Sequence, residues 1–291
     1  MSFPGSLTEP AKVTGRARVV VIGNEKGGTG KSTTAMHLII GAMREGARAA
    51  SIDLDSGQAS LSRYIANRRE FGEQNGVSLI MPEHHRLVLS QDDSRVRSGE
   101  EDRGRLRREI GRLSQTNDVV FIDTPGGDTE IGRTAIQFAD TLVTPINDSL
   151  IDLDLIAKLE GDPPEPVGPS RFSDKVWEAR KSRAAEGMGA IDWVVLRNRI
   201  AALASRNQQA IEATLDELAG RFGFRVALGF GERVVFRELF LQGLTVLDLR
   251  ETGTKVQLNM SHIAARQEVR RLLEFIGLAE DGGVLNQAAS S

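Results

Sequence analysis

The sequence Gly23-Asn-Glu-Lys-Gly-Gly-Thr-Gly-Lys-Ser-Thr33 is a glycine-rich loop between two apolar segments. Residues 19–22, before it, are all β-branched, which predicts a buried strand, and the apolar positions of 34–43 recur at helical spacing. Glycines let consecutive backbone N–H groups turn towards an anion, and the first turn of a helix adds unpaired N–H groups and a positive dipole end. Strand, loop and helix together therefore predict a phosphate-binding loop.

The two lysines of this loop carry different predictions. Lys31 stands at the helix start, where its ammonium group would reach the β- and γ-phosphates of a nucleotide, and the Ser32 hydroxyl would ligate Mg²⁺. The common phosphate loop has its first glycine where Glu25 stands, and Lys26 is an additional lysine. A chance glycine-rich turn with solvated lysines is the alternative. The residues predicted to bind the nucleotide are Gly27, Gly28, Thr29, Gly30, Lys31, Ser32 and Thr33.

Composition limits the classes of protein to consider. The chain has 291 residues, of which 40% are hydrophobic and 26% charged, as is typical of a soluble globular protein. No apolar run approaches the roughly 20 residues that span a bilayer. The absence of cysteine excludes disulfides and cysteine-bound iron–sulfur clusters. A net charge of −3 argues against a generally basic nucleic-acid-binding protein but leaves room for a local basic patch.

We predict a single domain over 16–278, with insertions near 71–117 and 161–190. Prolines interrupt the second of these segments, but strands resume after it, which favours an insertion over a domain boundary. Residues 1–15 lack the apolar segment of a secretory signal and are predicted to be a flexible tail, as are residues 279–291.

Acidic residues follow two further predicted strands. Asp53 and Asp55 end the second strand and share one of its faces, and Asp123 ends a later apolar run and precedes Thr-Pro-Gly-Gly. Ligands of open α/β sheets gather at the carboxyl ends of strands, so we expect these carboxylates beside the phosphate loop. Asp123 fits an acid that holds Mg²⁺ through water, and Gly127 offers a backbone N–H to a γ-phosphate. A solvated acidic turn is the alternative for Asp53 and Asp55.

Strands and helices alternate along the rest of the chain. This predicts an α/β fold with a mostly parallel, twisted sheet of about seven or eight strands and helices on both faces. Four segments have weaker patterns. We predict a strand over 86–90, a helix over 151–160, an exposed helix over 171–186, and a return to the sheet or its rim over 243–249.

Six segments between about residues 17 and 250 resemble the MipZ family, within the ParA/MinD class of P-loop ATPases that carry a deviant Walker A loop. The most specific of them are the stretches Pro145-Ile-Asn-Asp-Ser149 and Asp192-Trp-Val-Val-Leu-Arg-Asn-Arg199, whereas the phosphate loop and the Asp123 segment are shared by the whole class. The other segments are Ile52-Asp-Leu-Asp55 and Phe236-Arg-Glu-Leu-Phe240. Residues 71–117 contain no motif that matches.

The resemblance implies roles for individual residues. Lys26 would reach across a dimer to the partner's nucleotide, and Asp55 would position the attacking water. Asp53 would lie near Mg²⁺ and the first switch segment. Asn198 would contact the adenine edge, whose adjacent donor and acceptor an amide can match, and we include Arg199 in the nucleotide site. Lys26, Asp55 and Lys31 are thus the predicted catalytic residues.

The resemblance also implies a function. ATP and Mg²⁺ would drive a monomer–dimer switch, and the ATP-bound homodimer would bind DNA without sequence preference and inhibit FtsZ polymerisation. The partition protein ParB would recruit the monomer and promote its dimerisation. Slow hydrolysis would reset a cytoplasmic, nucleoid-associated gradient that places the division site.

Three alternatives stay open. A ParA-type partitioning ATPase would share the loop and the DNA binding but would move DNA. A MinD-like ATPase would carry an amphipathic membrane anchor at its carboxyl end, and residues 280–291 have no basic apolar face, so we expect no membrane contact. An ATP-dependent ligase of the same fold would need a small-molecule pocket.

A local basic segment predicts where DNA would bind. Residues 193–211 contain three arginines and no acidic residue, and an acidic chain that binds phosphate backbone must concentrate its cations. The alternative is that these arginines are solvated. The predicted DNA contacts are Arg197 and Arg206, with Arg221, Arg225 and Arg233 next.

Overall fold

The computed structural model describes residues 16–90, 94–161, 165–200, 206–249 and 259–279. The tails predicted for 1–15 and for the residues after Ala279 lie outside the described residues. Within the described ranges, no helix combines the length and the apolar character needed to cross a bilayer.

The strands and helices alternate as the sequence predicts. The strands are β1 Arg18–Ile22, β2 Ala49–Asp53, β3 Glu83–Arg86, β4 Val119–Asp123, β5 Thr141–Asn147, β6 Ala157–Glu160, β7 Glu165–Pro169, β8 Asp192–Asn198 and β9 Arg225–Leu228. The helices are α1 Lys31–Arg44, α2 Ser60–Asn75, α3 Arg95–Leu113, α4 Glu130–Phe138, α5 Leu150–Leu153, α6 Arg171–Ala185, α7 Arg206–Phe222, α8 Val235–Gln242 and α9 Met260–Phe275.

Seven of these strands form one parallel sheet in the order β3-β2-β4-β1-β5-β8-β9. Parallel pairing brings the carboxyl ends of neighbouring strands together, and the register shows which residues meet. Ile22, the last residue of β1, pairs with Asp123, and Asp53 of β2 pairs with Asp123 from the other side. The two predicted acidic strand ends therefore lie beside the start of the phosphate loop, and the predicted fold class is confirmed.

Helices cover both faces of the sheet because the strand side chains alternate. Val19 and Val21 of β1 contribute to one apolar core, against α3, α4, α6 and α7. Val20 and Ile22 contribute to the other, against α1, α2, α8 and α9. Because both faces are buried, β1 is apolar without interruption after its first residue, which is typical of a central strand in a parallel sheet.

The structure differs from two of the predicted elements, the strand over 86–90 and the helix over 151–160. β3 ends at Arg86, which pairs with the last residue of β2, so the strand predicted over 86–90 is wrong except at its first residue. The helix predicted over 151–160 is also wrong, because α5 is a single turn capped by Ser149. β6 follows it and pairs with the proline-containing β7 in an antiparallel hairpin, a contact that local spacing does not reveal.

Two further segments differ from their predictions, one in its burial and the other in its secondary structure. α6 is a helix as predicted, but it is not simply exposed, because Phe172, Val176 and Ala179 enter the core. Residues 243–249 form a turn and no strand. Gly243, with a φ of 68°, ends α8 in a left-handed conformation, and the turn that follows is closed by the Asp248 carboxylate, which accepts a hydrogen bond from the backbone amide three residues earlier (2.7 Å).

Candidate functional site

The phosphate loop joins the end of β1 to the start of α1. Gly28 and Gly30 have φ angles of 74° and 90°, left-handed conformations that glycine adopts without strain. Gly30 is the N-cap of α1, and its carbonyl accepts a hydrogen bond from the amide of Thr34 (2.8 Å). The N-terminus of α1 therefore opens onto the loop, as an anion site requires.

A cavity of about 360 Å³ lies against this loop. Lys31 lines it, is 9% exposed and donates from Nζ to the carbonyl of Lys26 (2.9 Å). Burial lowers the pKa of Lys31, while Asp123 and Asp55 oppose that shift. The other lining residues are Gly27, Gly28, Gly30, Ser32, Thr33, Asp55, Gln58, Ser60, Thr124, Gly126, Arg199 and Phe240. Gln58, Ser60, Thr124 and Phe240 are not among the predicted site residues. The first three follow Asp55 or Asp123 closely in sequence, which could have indicated them, whereas only the tertiary structure brings Phe240 of α8 to the cavity.

Ser32 and Asp123 fit a magnesium site. Asp123 is buried at the end of β4, and its Oδ1 has no hydrogen-bond partner. Burial raises the pKa of Asp123 to about 7, against the effect of its hydrogen bond with Ser32. A cation near Oδ1 would satisfy that oxygen and favour the carboxylate. Among the described residues, no group of three His, Cys, Asp or Glu could hold a metal, so phosphate oxygens and water would complete the ligand set.

Asp53 and Asp55 have different surroundings. Asp53 is fully buried; its Oδ1 accepts from the amide of Asp55 (2.9 Å), and its Oδ2 accepts from the amide and the hydroxyl of Ser62 (both 2.8 Å). Asp55 lines the cavity, where its Oδ1 accepts from the amides of Gly57 (3.1 Å) and Gln58 (2.8 Å). Asp55 therefore faces the phosphate cavity, and its role towards the attacking water stays a prediction. Asp53 holds the turn, and we assign it a positioning role in place of direct contact with Mg²⁺.

The segment after β4 packs against the loop. Gly127, with a φ of 96°, donates its amide to the carbonyl of Glu25 (2.7 Å), so this N–H is used within the protein and Gly126 lines the cavity instead. Lys175 of α6 forms ion pairs with Glu25 and with Asp128 (2.7 Å). α6 is thus connected to both the phosphate loop and the segment after β4.

Lys26 is not among the residues that line the cavity. Its side chain is 41% exposed and forms an ion pair with Asp152 of α5. Asp152 is itself buried, and its other oxygen accepts from the amide of Asn147 (2.9 Å), so the carboxylate is held by the end of β5. Within one chain, Lys31 faces the phosphate cavity and Lys26 is held outside it.

A second cavity of about 360 Å³ adjoins the first. The rings of Phe230 and Phe236 stack in its wall with centroids 5.0 Å apart, and Arg199, which has a φ of 54°, lines both cavities. Apolar and aromatic walls with a few polar groups suit a planar base. The residues common to the two cavities are Gly30, Thr33, Arg199 and Phe240.

Asn198 lines the second cavity, but its amide is used within the protein. Nδ2 donates to the carbonyl of Thr29 (3.0 Å), and Oδ1 accepts from the amide of Phe230 (3.0 Å). The predicted adenine contact would compete with both bonds. Asn198 therefore ties the phosphate loop to the end of β8, while Arg199 beside it is exposed and lines both cavities.

The comparisons with known proteins agree with this geometry. The sequence pattern of the family described as ATPase MipZ matches residues 18–280. The chain belongs to the MipZ family. The match runs from the start of β1 to five residues beyond α9 and includes residues 71–117, where the sequence contains no motif that we recognised.

Similar proteins belong to the same class. Septum site-determining protein MinD of Helicobacter pylori is 29% identical over 186 residues, which cover 59% of this chain and 63% of MinD; the chain thus matches less than two thirds of that relative's length. The McdA–ATP complex from Cyanothece aligns with a TM-score of 0.63, 17% identity, and coverage of 92% of this chain and 99% of McdA. MinD with Mg-ADP from Pyrococcus horikoshii aligns with a TM-score of 0.53 and 16% identity, and the alignment covers 94% of this chain and 98% of that MinD. At these identities the structures show the fold alone, that of MinD/ParA P-loop proteins.

The arginines predicted to bind DNA have unlike surroundings. Arg197 is 4% exposed and pairs with the buried side chain of Asp148 (2.9 Å), so its guanidinium group cannot reach a DNA backbone, and this predicted contact is wrong. Arg233 forms an ion pair with Glu268 and lines the second cavity. The side chain of Arg206, the first residue of α7, lies outside the described part of the structure. The half-exposed members of the set are Arg221 and Arg225.

Proposed function

We propose that this chain is an ATP-dependent monomer–dimer switch that hydrolyses ATP slowly, with Mg²⁺, and only as a dimer. Its membership of the ATPase MipZ family supports hydrolysis. The McdA–ATP complex and the Mg-ADP complex of MinD support the nucleotide and the cation. The first cavity is lined by the phosphate loop, and the adjoining second cavity has a wall of aromatic rings that could take the base.

The observation that carries this proposal is the position of Lys26. A second loop lysine that served its own nucleotide would be expected in the phosphate cavity, whereas Lys26 is held outside it by Asp152. Ile151, next to that aspartate, is 77% exposed, and Leu241, at the second cavity, is 76% exposed. A second copy seated against the phosphate loop would bring each Lys26 to its partner's phosphates, and we propose that it also covers these apolar side chains.

The residues have distinct parts in the proposed reaction. Lys31 and the loop N–H groups would hold the β- and γ-phosphates, and Ser32 with Asp123 would hold Mg²⁺, which would neutralise phosphate charge. Asp55 orients the attacking water. Lys26 of the second copy adds positive charge at the γ-phosphate only when the dimer forms, so hydrolysis depends on pairing.

We further propose that the ATP-bound dimer positions the cell-division site. It would bind DNA without sequence preference and inhibit FtsZ assembly, and ParB would recruit the monomer, which gives a cytoplasmic, nucleoid-associated gradient from the cell pole. The name of the Helicobacter pylori relative, a septum site-determining protein, supports a role in division.

Gel filtration of the chain without nucleotide and with ATPγS tests the switch. We expect the apparent mass to double with ATPγS. Lys26→Ala should bind ATP yet stay monomeric, whereas Asp55→Ala should dimerise with ATP but fail to hydrolyse it. Normal dimerisation of Lys26→Ala would show that the role of Lys26 across the dimer is wrong.

Three assays separate the outputs. Light scattering should show less FtsZ polymer with the wild type and ATP, and no change with Lys26→Ala. DNA retention with ATP but no effect on FtsZ would favour a ParA-type partitioning ATPase. ATP-dependent pelleting with liposomes would favour a MinD-like membrane ATPase over our proposal.

A further inference from the structure

A hydrogen-bonded relay of four polar side chains runs from Ser51 of β2, through His84 of the edge strand β3 and Ser62 of α2, to Asp53 at the end of β2. His84 of β3 lies 2.9 Å from the hydroxyl of Ser51 through Nδ1 and 2.9 Å from the hydroxyl of Ser62 through Nε2. The Ser62 hydroxyl lies 2.8 Å from Oδ2 of Asp53. Ser51 and Asp53 belong to β2 and Ser62 to α2, whose Ser60 lines the phosphate cavity, and His84 comes from the region in which the sequence has no recognised motif.

The positions of the protons follow from the donors and acceptors. The Asp53 carboxylate accepts, so the Ser62 hydroxyl donates its single proton there and must accept from Nε2–H of His84. Nδ1 is then without a proton and accepts from the hydroxyl of Ser51. Burial lowers the pKa of His84 to about 4, which agrees with a neutral ring. All three bonds therefore point in one direction, towards Asp53.

Asp53 connects these hydrogen bonds to the turn that contains Asp55, which lines the phosphate cavity. Its other oxygen, Oδ1, accepts from the backbone amide of Asp55 (2.9 Å), and Asp55 Oδ1 accepts from the amides of Gly57 and Gln58. The turn ends at Ala59, which has a φ of 45°, a left-handed conformation that a non-glycine residue adopts only when its surroundings hold it. The direction of the Asp55 carboxylate depends on this turn.

We propose that His84 is a positioning residue for Asp55, acting through Ser62 and Asp53. It fixes the rotamer of Ser62, which holds the Asp53 carboxylate in the orientation that places the turn of Asp55 at the phosphate cavity. This inference rests on the proposed ATPase function for its consequence in turnover. The geometric part concerns only the turn, and it is tested separately below.

Two amide substitutions divide the relay at the ring of His84. A glutamine amide can replace Nε2–H and keep the bond to Ser62, whereas an asparagine amide can replace Nδ1 and keep only the bond to Ser51. Each variant loses one hydrogen bond, so a role in stability alone predicts similar effects. We expect His84→Gln to retain the wild-type kcat, and His84→Asn to lose about tenfold or more in kcat because a small displacement of a reacting group is costly, with ATP affinity within about twofold.

Serine variants repeat the test without changing the histidine, which matters if His84→Asn does not fold. Ser62→Ala breaks the relay next to Asp53, and Ser51→Ala removes the same kind of hydroxyl at its far end. We expect a loss of kcat like that of His84→Asn for Ser62→Ala, and near-normal kcat for Ser51→Ala. Equal effects of the two serine variants, or of the two histidine variants, would overturn the proposal.

Hydrogen exchange provides a readout that does not depend on hydrolysis. The amides of residues 55–58 should exchange at least about tenfold faster in His84→Asn and Ser62→Ala than in the wild type, and at the wild-type rate in His84→Gln and Ser51→Ala. Unchanged exchange in His84→Asn and Ser62→Ala would overturn the positioning role. If the wild type did not hydrolyse ATP, the proposed function would fail, and the exchange pattern would still decide the positioning role.

Discussion

Lys26 and Lys31 lie five positions apart in one loop and differ in exposure and in partner. Lys31 is buried at the first turn of α1 and donates to a loop carbonyl. Lys26 is exposed and paired with Asp152, a residue 126 positions away. Two left-handed glycines, Gly28 and Gly30, turn the chain between them, and only the second lysine lines the cavity.

Replacement of Lys31 tests the phosphate site. Lys31→Ala should weaken ATP binding by more than about a hundredfold, since loss of a buried cation opposite phosphate costs about 3 kcal/mol. Isothermal titration calorimetry measures this change. Lys26→Ala is the matched control, because it removes the same charge from the same loop outside the cavity, and it should leave the affinity of the monomer nearly unchanged. Wild-type affinity in Lys31→Ala would contradict the site.

At the scale of elements, α6 has a larger role than an insertion on the surface. Its N-terminal Ser170 caps the helix and its apolar face enters the core. Lys175 then extends from α6 to Glu25 in the phosphate loop and to Asp128 after β4. An element from the predicted insertion thus fixes two segments that border the nucleotide site.

Lys175→Ala should weaken nucleotide binding several-fold and accelerate hydrogen exchange in residues 23–28, because two carboxylates lose their common partner. Lys181→Ala is the control on the same helix, since Lys181 pairs with the exposed Glu178 and lies over Trp177, and exposed pairs contribute about 0–1 kcal/mol. Calorimetry and exchange measurements check both. Equal effects of the two substitutions would show that the bridge from α6 does not support the loop.

His37 links α1 to the turn after α8, and this contact predicts how stability depends on pH. Its Nδ1 contacts the carbonyl of Thr33 (2.8 Å), and Nε2 accepts from the amide of Val246 (3.2 Å). Burial lowers the pKa of His37 from 6.5 to about 4. Between these values the unfolded state binds more protons than the folded state, so stability falls as the pH drops from 6.5 towards 4.

Urea unfolding at a series of pH values measures this effect. His37 should contribute a slope of up to about 1.4 kcal/mol per pH unit between pH 6.5 and 4. His37→Gln cannot titrate and should show a shallower slope over that range, although His84 still contributes to it. An unchanged slope in His37→Gln would assign the pH dependence to other groups.

For the molecule as a whole, DNA binding depends on where the positive charges lie more than on the net charge. The arginines predicted to bind DNA do not form one patch, because Arg197 is buried in an ion pair while Arg225 lies at the start of β9, the edge strand of the sheet. Of the arginines predicted to bind DNA whose side chains the structure describes, Arg221 and Arg225 are half-exposed. Dimerisation would double the number of phosphates that can be neutralised and so couple DNA binding to ATP.

The double variant Arg221→Ala/Arg225→Ala tests this arrangement. It should weaken DNA binding about equally on all sequences and flatten the dependence of log affinity on log salt by about one unit for each phosphate that is no longer neutralised. Fluorescence anisotropy with ATPγS at several salt concentrations measures both. The control is Arg69→Ala, an exposed arginine of α2 near the opposite edge of the sheet. Full DNA affinity in the double variant would place the DNA surface elsewhere.

The sequence by itself determined the parts of this protein that depend on local pattern. The strand, the glycine loop and the start of α1 follow from β-branched residues, left-handed glycine conformations and helical spacing, all within about twenty residues. Alternation of strands and helices then determined a parallel sheet, and the carboxyl ends of its strands located Asp55 and Asp123 at the site.

Only the tertiary structure decided what each side chain contacts. Lys26 and Asp152 are held together by the pairing of distant strands, and Asn198 reaches Thr29 because β8 lies near β1 in the sheet and far from it in sequence. His84 joins the site through the register of β3 with β2. Hydrogen bonds and ion pairs of this kind depend on strand order and register, to which local periodicity is insensitive. That is the physical reason why the sequence located the site and the fold assigned the partners within it.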